Sequence, residues 1–174
     1  MPLVADQRFC CTLAHVRTRR ASCAVFLRSN SANNTRTDQY AGDDDKGGFH
    51  EEGGYFSQTA VVNAKPGPKS DPSSTHGSVN PFVLALESDR VKVGTALGTI
   101  HIHPKGTSGN YEFTQMPSDP GDLKALEAAK NRGWVQKDGY GIVIGASSKT
   151  VSFYDEKGTK VTIKLDTFLN IGKK

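Results

Sequence analysis

Hydrophobic and polar residues alternate most clearly near the end of the chain, where three short segments have the pattern of β-strands. The segments cover residues 140–146, 150–155 and 160–165, and short runs of turn residues separate them. In the last segment Val161 and Ile163 alternate with polar residues, which predicts one buried face. The pattern therefore predicts a C-terminal antiparallel meander of three strands.

A helix is predicted immediately before the meander, over residues 122–130. The segment is rich in alanine and leucine, which have high helix propensity, and its leucines form a loose apolar stripe with Ala129. Asp119 is expected to cap the helix, with Pro120 at its first position. Gly133 is expected to follow its C-terminal end.

The first half of the domain is less regular. Residues 55–64 are rich in aromatic and β-branched types and predict one strand, while residues 66–81 predict a long irregular segment with His76 exposed. Residues 82–90 are compatible with a short helix or a strand, and a strand ends at His103. Residues 105–116 predict a loop. The fold class expected from this order is α/β (α+β), in a single domain.

Composition and charge divide the chain into a basic N-terminal part and a neutral remainder. With 36% hydrophobic and 23% charged residues, the composition is that of a folded protein, and no apolar run approaches the length of a membrane helix. Residues 1–40 hold six of the 22 basic residues and two of the 18 acidic ones, so the rest has 16 of each. A neutral domain gives no electrostatic case for nucleic-acid binding.

We therefore expect an Arg-rich N-terminal extension over residues 1–40, disordered or peripheral, and a domain over residues 41–174. The extension is rich in serine and poor in acids, which is typical of a transit peptide, but a loose extension, a linker or a mischosen start codon is preferred. Its cysteines, Cys10, Cys11 and Cys23, are odd in number and fit neither a disulfide framework nor a common zinc module.

The most informative motif is His101-Ile102-His103-Pro104, at the end of a predicted strand. Alternate residues of a strand project to the same face, so His101 and His103 are expected to point the same way. Two imidazoles on one face provide half of a zinc site. The alternative is a pair of histidines on a half-exposed strand without any ligand.

Several acidic residues could complete such a site. Asp122 opens the predicted helix, although the helix dipole favours an acid in the first turn without any metal. Upstream, Glu51 and Glu52 precede two glycines and a predicted strand. The alternative for both glutamates is surface charge at the end of a loop, and the alternative for Ser118 is an ordinary loop serine before a helix.

Three motifs follow one another along the chain: an acid and two glycines before a strand, H-x-H-P at the end of a strand, and P-S-x-x-x-D before a helix. In this order they resemble the JAB/MPN family of zinc metalloproteases, also called JAMM. The resemblance covers roughly residues 48–165 and is most specific at residues 101–104 and 117–118. It implies a mixed α/β domain with a curved mixed sheet flanked by helices. It also implies Zn²⁺ as the cofactor and hydrolysis of a peptide or isopeptide bond.

The resemblance implies a role for each matching residue. His101, His103 and Asp122 would be the metal ligands, with a catalytic water at the fourth position. Glu51 would be the general base and Ser118 the hydroxyl that stabilises the oxyanion. Glu52 stays open as the alternative base, because the spacing does not separate the two glutamates.

The chain departs from the family pattern at three points. Isoleucine stands between the histidines where the family has serine or threonine, but its side chain is expected to face away from the metal. Thirteen residues separate Pro104 from Ser118, about twice the family's spacing, which implies a loop insertion. Ser118 and Asp122 are four positions apart instead of three, so Asp119 stays open as the alternative ligand.

The expected function is zinc-dependent hydrolysis by a metal-activated water with a glutamate base. The expected partner is a protein or peptide substrate, such as a ubiquitin-like conjugate or a cell-wall peptide, with no nucleic acid and no membrane. The bacterial branch of the family is favoured, either cytoplasmic or secreted as part of a larger protein. A non-catalytic binding module or toxin-associated domain is the alternative. A metal-storage protein is a third class, but it would need neither the upstream glutamate nor the serine.

Overall fold

The structure, a computed structural model, describes six segments of the chain: residues 50–57, 61–68, 76–83, 96–103, 107–108 and 111–171. The expectations for residues 1–40, for Pro104 and for most of residues 82–90 fall outside the described residues. Neither of the two described helices is long and apolar enough to cross a membrane.

Six strands form one mixed sheet. In chain order the main elements are β1 (Glu52–Phe56), β2 (Val61–Asn63), β3 (Ala96–His103), α1 (Gly121–Asn131), β6 (Val135–Gly145), β7 (Thr150–Asp155), β8 (Gly158–Lys164) and α2 (Leu165–Asn170). The strand order is β2-β1-β3-β6-β7-β8. Only the central pair, β3 and β6, is parallel, because α1 lies in the connection between them. Two short strands, β4 (Thr107–Ser108) and β5 (Tyr111–Glu112), form a separate hairpin.

The sheet buries a different apolar cluster on each face. On one face the cluster packs against Phe168 of α2 and contains Phe56, Ile100, Ile102, Ile142, Ile144, Val151 and Phe153. On the other face it packs against Leu126 and Ala129 of α1 and contains Tyr55, Val62, Ala96, Val135, Val143 and Tyr154. Since residues of a strand alternate between faces, residues 99, 101 and 103 of β3 lie on the α1 face.

The C-terminal meander is confirmed, because β6 pairs antiparallel with β7 and β7 pairs antiparallel with β8. The strand β6 begins earlier than predicted, and β8 ends at Lys164, one residue before Leu165. That leucine begins α2, a short helix that the sequence analysis did not predict, and its N–H donates to the Lys149 carbonyl. Val161 and Ile163 are half-buried against the α2-face cluster, as the alternation indicated.

The single strand predicted over residues 55–64 is wrong, because the segment contains two paired strands. The first strand starts at Glu52 and runs through both glycines, and its register pairs Gly54 with Asn63. A side chain at Gly54 would lie 2.0 Å from the Val62 carbonyl oxygen, so the glycine permits this close pairing. The irregular segment is confirmed where described, with His76 exposed.

The predicted loop over residues 105–116 contains the β4–β5 hairpin. Phe113 is 5% exposed and packs in the interior, so it anchors the loop rather than lining a groove.

The predicted helix is confirmed within one residue at each end, but its predicted N-terminal cap is wrong. Pro120 is the N-cap, not the first helical residue, the Asp119–Pro120 peptide bond is cis, and no side chain caps the helix there. At the C-terminal end Gly133 has φ +71°, and the N–H groups of Gly133 and Trp134 donate to the carbonyls of Lys130 and Ala129. These two bonds form a Schellman motif, which explains the glycine.

Candidate functional site

The end of β3 holds two histidines side by side on the α1 face of the sheet. His101 and His103 are 5% and 4% exposed, and their Nε2 atoms are 3.1 Å apart. Ile102, between them, is fully buried in the cluster on the opposite face, as expected for alternating strand residues. Strand alternation therefore brings two ring nitrogens to one point.

Asp122, in the first turn of α1, brings a carboxylate to the same point. Its Oδ1 lies 3.0 Å from His101 Nε2, and its Oδ2 lies 3.3 Å from His103 Nε2. The three residues offer ligand atoms that all lie within 4.8 Å of one another, so this His-His-Asp cluster could hold a metal ion. Asp119, the alternative ligand, is exposed and lies outside the cluster.

The charges in the cluster shift the pKa values of its members. Burial acts to raise the pKa of Asp122, but the charges and hydrogen bonds of His101 and His103 outweigh it and hold that pKa far below its usual range. Burial acts to lower the pKa of His101, but the Asp122 carboxylate and Glu51 outweigh it, so the pKa of His101 is raised. The Asp122 carboxylate is therefore ionised at neutral pH and available as a ligand.

His103 is oriented by a contact to the backbone of the loop before α1. Its Nδ1 lies 2.9 Å from the carbonyl oxygen of Thr114. A carbonyl only accepts, so Nδ1 carries the proton and the Nε2 of the neutral ring has the free lone pair. Metal-binding histidines are commonly fixed by such a bond from the second ring nitrogen.

Gln115 fixes the loop that supplies this carbonyl. Its side-chain NH₂ donates to the carbonyls of Phe113 (2.9 Å) and Thr114 (3.3 Å). Its side-chain oxygen accepts from the N–H groups of Ser147 (2.7 Å) and Ser148 (3.3 Å) in the β6–β7 turn. One amide therefore ties the loop beside His103 to the sheet.

Ser118 holds Asp122 in place. The Ser118 N–H and hydroxyl both donate to Asp122 Oδ2, at 2.6 and 2.8 Å, and the Ser118 hydroxyl accepts from the Asp122 N–H at 3.1 Å. These bonds leave Oδ1 directed to His101. The hydroxyl proton is engaged by Asp122 in this structure, and the oxyanion role implied for Ser118 stays a prediction.

The two candidate glutamates lie on opposite sides of the sheet. Glu52 pairs with Ile102 in the register of β1 and β3, so it faces away from the histidines, and His50 Nε2 lies 3.2 Å from its Oε1. Glu51, one residue earlier, lines the same cavity as His101, His103 and Asp122. Burial raises the pKa of Glu51, the two histidines act in the opposite direction, and the net shift is upward.

A cavity of about 400 Å³ connects these groups. Its walls are the sheet, α1 and the segment of residues 77–82. Tyr154 lies at the sheet side, hydrogen-bonded to Thr99, and burial raises the pKa of its hydroxyl. The segment packs closely against the site, because a side chain at Gly77 would lie 3.0 Å from Glu51 Oε1.

The structure thus brings together five of the residues singled out in the sequence: Glu51, His101, His103, Ser118 and Asp122. Thr114 and Gln115 could not be found from the sequence, because a backbone carbonyl and an isolated glutamine have no motif. Nor did the sequence indicate that residues 77–82 line the cavity. Their Pro, Gly and Ser content indicated only irregular structure.

Comparisons with known proteins add no identification. No protein-family model, no curated protein and no solved structure matches this chain.

Proposed function

We propose that the protein is a zinc-dependent peptidase or isopeptidase with a JAB/MPN-like domain. The observation that carries the proposal is the convergence of Glu51 with the His-His-Asp cluster in one cavity. An acid beside a three-ligand metal site is the arrangement that metal-assisted hydrolysis requires. A storage site would need only the ligands.

The separations within the cluster suit a small tetrahedral ion. The atom pairs His101–His103, His101–Asp122 and His103–Asp122 are 3.1, 3.0 and 3.3 Å apart. In a tetrahedron with zinc–ligand bonds of roughly 2.0–2.1 Å, neighbouring ligand atoms are about 3.3–3.4 Å apart. The ligand set, two imidazoles and one carboxylate, is one that catalytic zinc sites use.

In the proposed reaction the chain's own residues move the protons. Zinc at the cluster would supply Lewis-acid activation of water and of the carbonyl oxygen of the substrate. Glu51 accepts the proton that the attacking water loses, and then donates it to the nitrogen of the leaving amine. Asp122 stays ionised and is held in place by the Ser118 hydroxyl. His103 keeps the proton on Nδ1 and donates it in a hydrogen bond to the Thr114 carbonyl.

The proposed substrate class is an amide within or attached to a protein, such as a ubiquitin-like conjugate or a cell-wall peptide. The support is partly sequence resemblance and partly the fold class, a mixed sheet with a helix on each face. The long cavity beside the cluster has room for a peptide-sized group.

A non-catalytic binding module is the second candidate, and one observation favours it. The histidines, Asp122 and Ser118 contact one another at hydrogen-bonding distance without any ion. Such a network could be purely structural. A structural network does not, however, account for the acid at Glu51.

The Glu51→Gln variant tests the proposal. We expect the purified variant to retain one zinc per chain by elemental analysis, but to lose at least about a hundredfold in cleavage rate, the usual size of a general-base contribution. Glu127→Gln, an exposed position on α1, is the matched control and should cleave like the wild type.

The assay should use a broad panel of peptides and isopeptide conjugates. A Glu51→Gln variant that cleaves at the wild-type rate would contradict the proposed base. A wild-type protein that binds zinc and cleaves nothing in the panel would favour the binding module.

A further inference from the structure

The cavity extends well beyond the candidate metal centre, along α1. Its α1 wall runs from Asp122 past Ala125 and Ala128 to Arg132, and both alanines are exposed to it. The helix rises 1.5 Å per residue, so the two ends are about 15 Å apart. An extended peptide advances roughly 3.3 Å per residue, and four or five residues would span that distance.

The far end of the cavity is built from aromatic rings. The rings of Tyr55 and Phe82 are stacked with centroids 5.5 Å apart, and Phe82 packs against Trp134 at 5.1 Å. The guanidinium carbon of Arg132 lies 5.0 Å from the centre of the Trp134 ring. Phe82, Trp134 and Arg132 all line the cavity, and we call them the distal subsite.

The charge of Arg132 is not neutralised by any carboxylate among the described residues. Lys130, two positions earlier, is different, because its Nζ lies 2.7 Å from Glu156 Oε2. The acids that line the cavity, Glu51 and Asp122, lie at the opposite end. The cavity is therefore acidic beside the metal cluster and basic at the distal subsite.

We propose that the distal subsite binds a carboxylate of the substrate, four or five residues from the bond that is cleaved. The guanidinium of Arg132 lies over the Trp134 ring in a cation–π contact. Its planar fork of N–H donors matches a carboxylate in two-point contact. Phe82 and Trp134, both partly buried, form the apolar wall beside that contact. The carboxylate is either an acidic side chain or the C-terminus of a chain. The spacing to the cleaved bond rests on the proposed hydrolase function, whereas carboxylate binding does not.

Binding is measured first, in the Glu51→Gln variant so that no peptide is consumed. Trp134 is the only tryptophan of the chain, so its fluorescence reports occupation of the distal subsite. The probes are three acetylated hexapeptides of alanine: one ending in glutamate amide, one in glutamine amide and one in a free carboxylate. Tighter binding of the first or the third peptide identifies the source of the carboxylate.

We expect a carboxylate peptide to bind about tenfold more tightly than the glutamine peptide, the gain of a charge-assisted hydrogen-bonded pair. A second substitution, Arg132→Met, should abolish that preference. The control Lys124→Met removes a positive charge from the same helix outside the cavity, and this variant should retain the preference for a carboxylate peptide. Equal affinity for all three peptides, or a preference that survives Arg132→Met, would overturn the proposal.

Cleavage assays on protein that retains Glu51 test the distal subsite and the hydrolase function separately. The Arg132→Glu variant should prefer substrates with lysine in place of the acid. If Arg132-dependent carboxylate binding is found but no peptide is cleaved, the distal subsite stands and the hydrolase function fails. If peptides are cleaved with no dependence on the acid or on Arg132, the distal subsite is overturned and the hydrolase function stands.

Discussion

At the scale of single residues, the site depends on groups that hold the candidate ligands rather than on the ligands alone. His103 is oriented by the Thr114 carbonyl, and the Asp122 carboxylate by two hydrogen bonds from the N–H and the hydroxyl of Ser118. Such bonds fix the ring tautomer and the carboxylate direction before any ion arrives. The candidate ligand atoms are therefore held in fixed directions by the protein itself.

Gln115→Leu tests this support, because it removes both the donors and the acceptor that tie the loop to the β6–β7 turn. We expect zinc to bind roughly ten- to a hundredfold more weakly, the usual effect of losing a group that orients a ligand. Competition with a chelating dye measures the affinity. The control is Gln136→Leu, a half-exposed position on β6 away from the cavity. Unchanged affinity in Gln115→Leu would remove the assigned role of this side chain.

At the scale of elements, much of the fold follows from local sequence patterns. The meander and α1 could be predicted because alternation, helix propensity and Gly133 act locally. The helix α2 could not be predicted, because Leu165 also fits the end of a strand. The pairing of β1 with β2 could not be predicted either, because a glycine pair also fits a loop. The face that each glutamate occupies depends on the register with β3, and register is a tertiary property.

The same argument explains why the site was only partly predictable. Spacing alone indicated that His101 and His103 share a face. It did not separate Asp122 from Asp119, because both lie near the start of the helix and only the turn geometry decides which one points to the histidines. The position of Arg132 beside Trp134 results from the C-terminal turn of α1 and has no sequence motif.

Gly141 tests the packing of the central strands. A side chain there would lie 2.0 Å from the ring of Tyr154, which lines the cavity from the sheet side. Gly141→Ala should lower the free energy of unfolding by about 1–3 kcal/mol or more through overpacking. At Gly133 an added side chain would contact no other atom, but the backbone has φ +71°. Gly133→Ala should therefore lower the free energy of unfolding by only about 1 kcal/mol. Urea unfolding measures both, and wild-type stability of Gly141→Ala would contradict the packing described.

At the scale of the whole molecule, an ion at the cluster would link the end of β3 to the start of α1. It would thus join the sheet to the helix that covers one of its faces. A ligand that binds only the folded state stabilises it by RT ln(1 + [L]/Kd), about 2.7 kcal/mol at a free concentration 100 times Kd. We expect zinc to raise the unfolding temperature accordingly, and a chelator to reverse the effect.

The His103→Ala variant should show no such stabilisation, whereas His76→Ala, at an exposed position, should respond like the wild type. Thermal unfolding with and without zinc measures both. An equal response of His103→Ala and the wild type would mean that zinc binds elsewhere.

The most direct measurement is a crystal structure of the protein grown with zinc, with diffraction recorded on both sides of the zinc absorption edge. We expect one anomalous peak within bonding distance of His101 Nε2, His103 Nε2 and an Asp122 oxygen, with the Glu51 carboxylate facing the remaining coordination position. The absence of a peak there, or a peak held by other residues, would contradict this expectation.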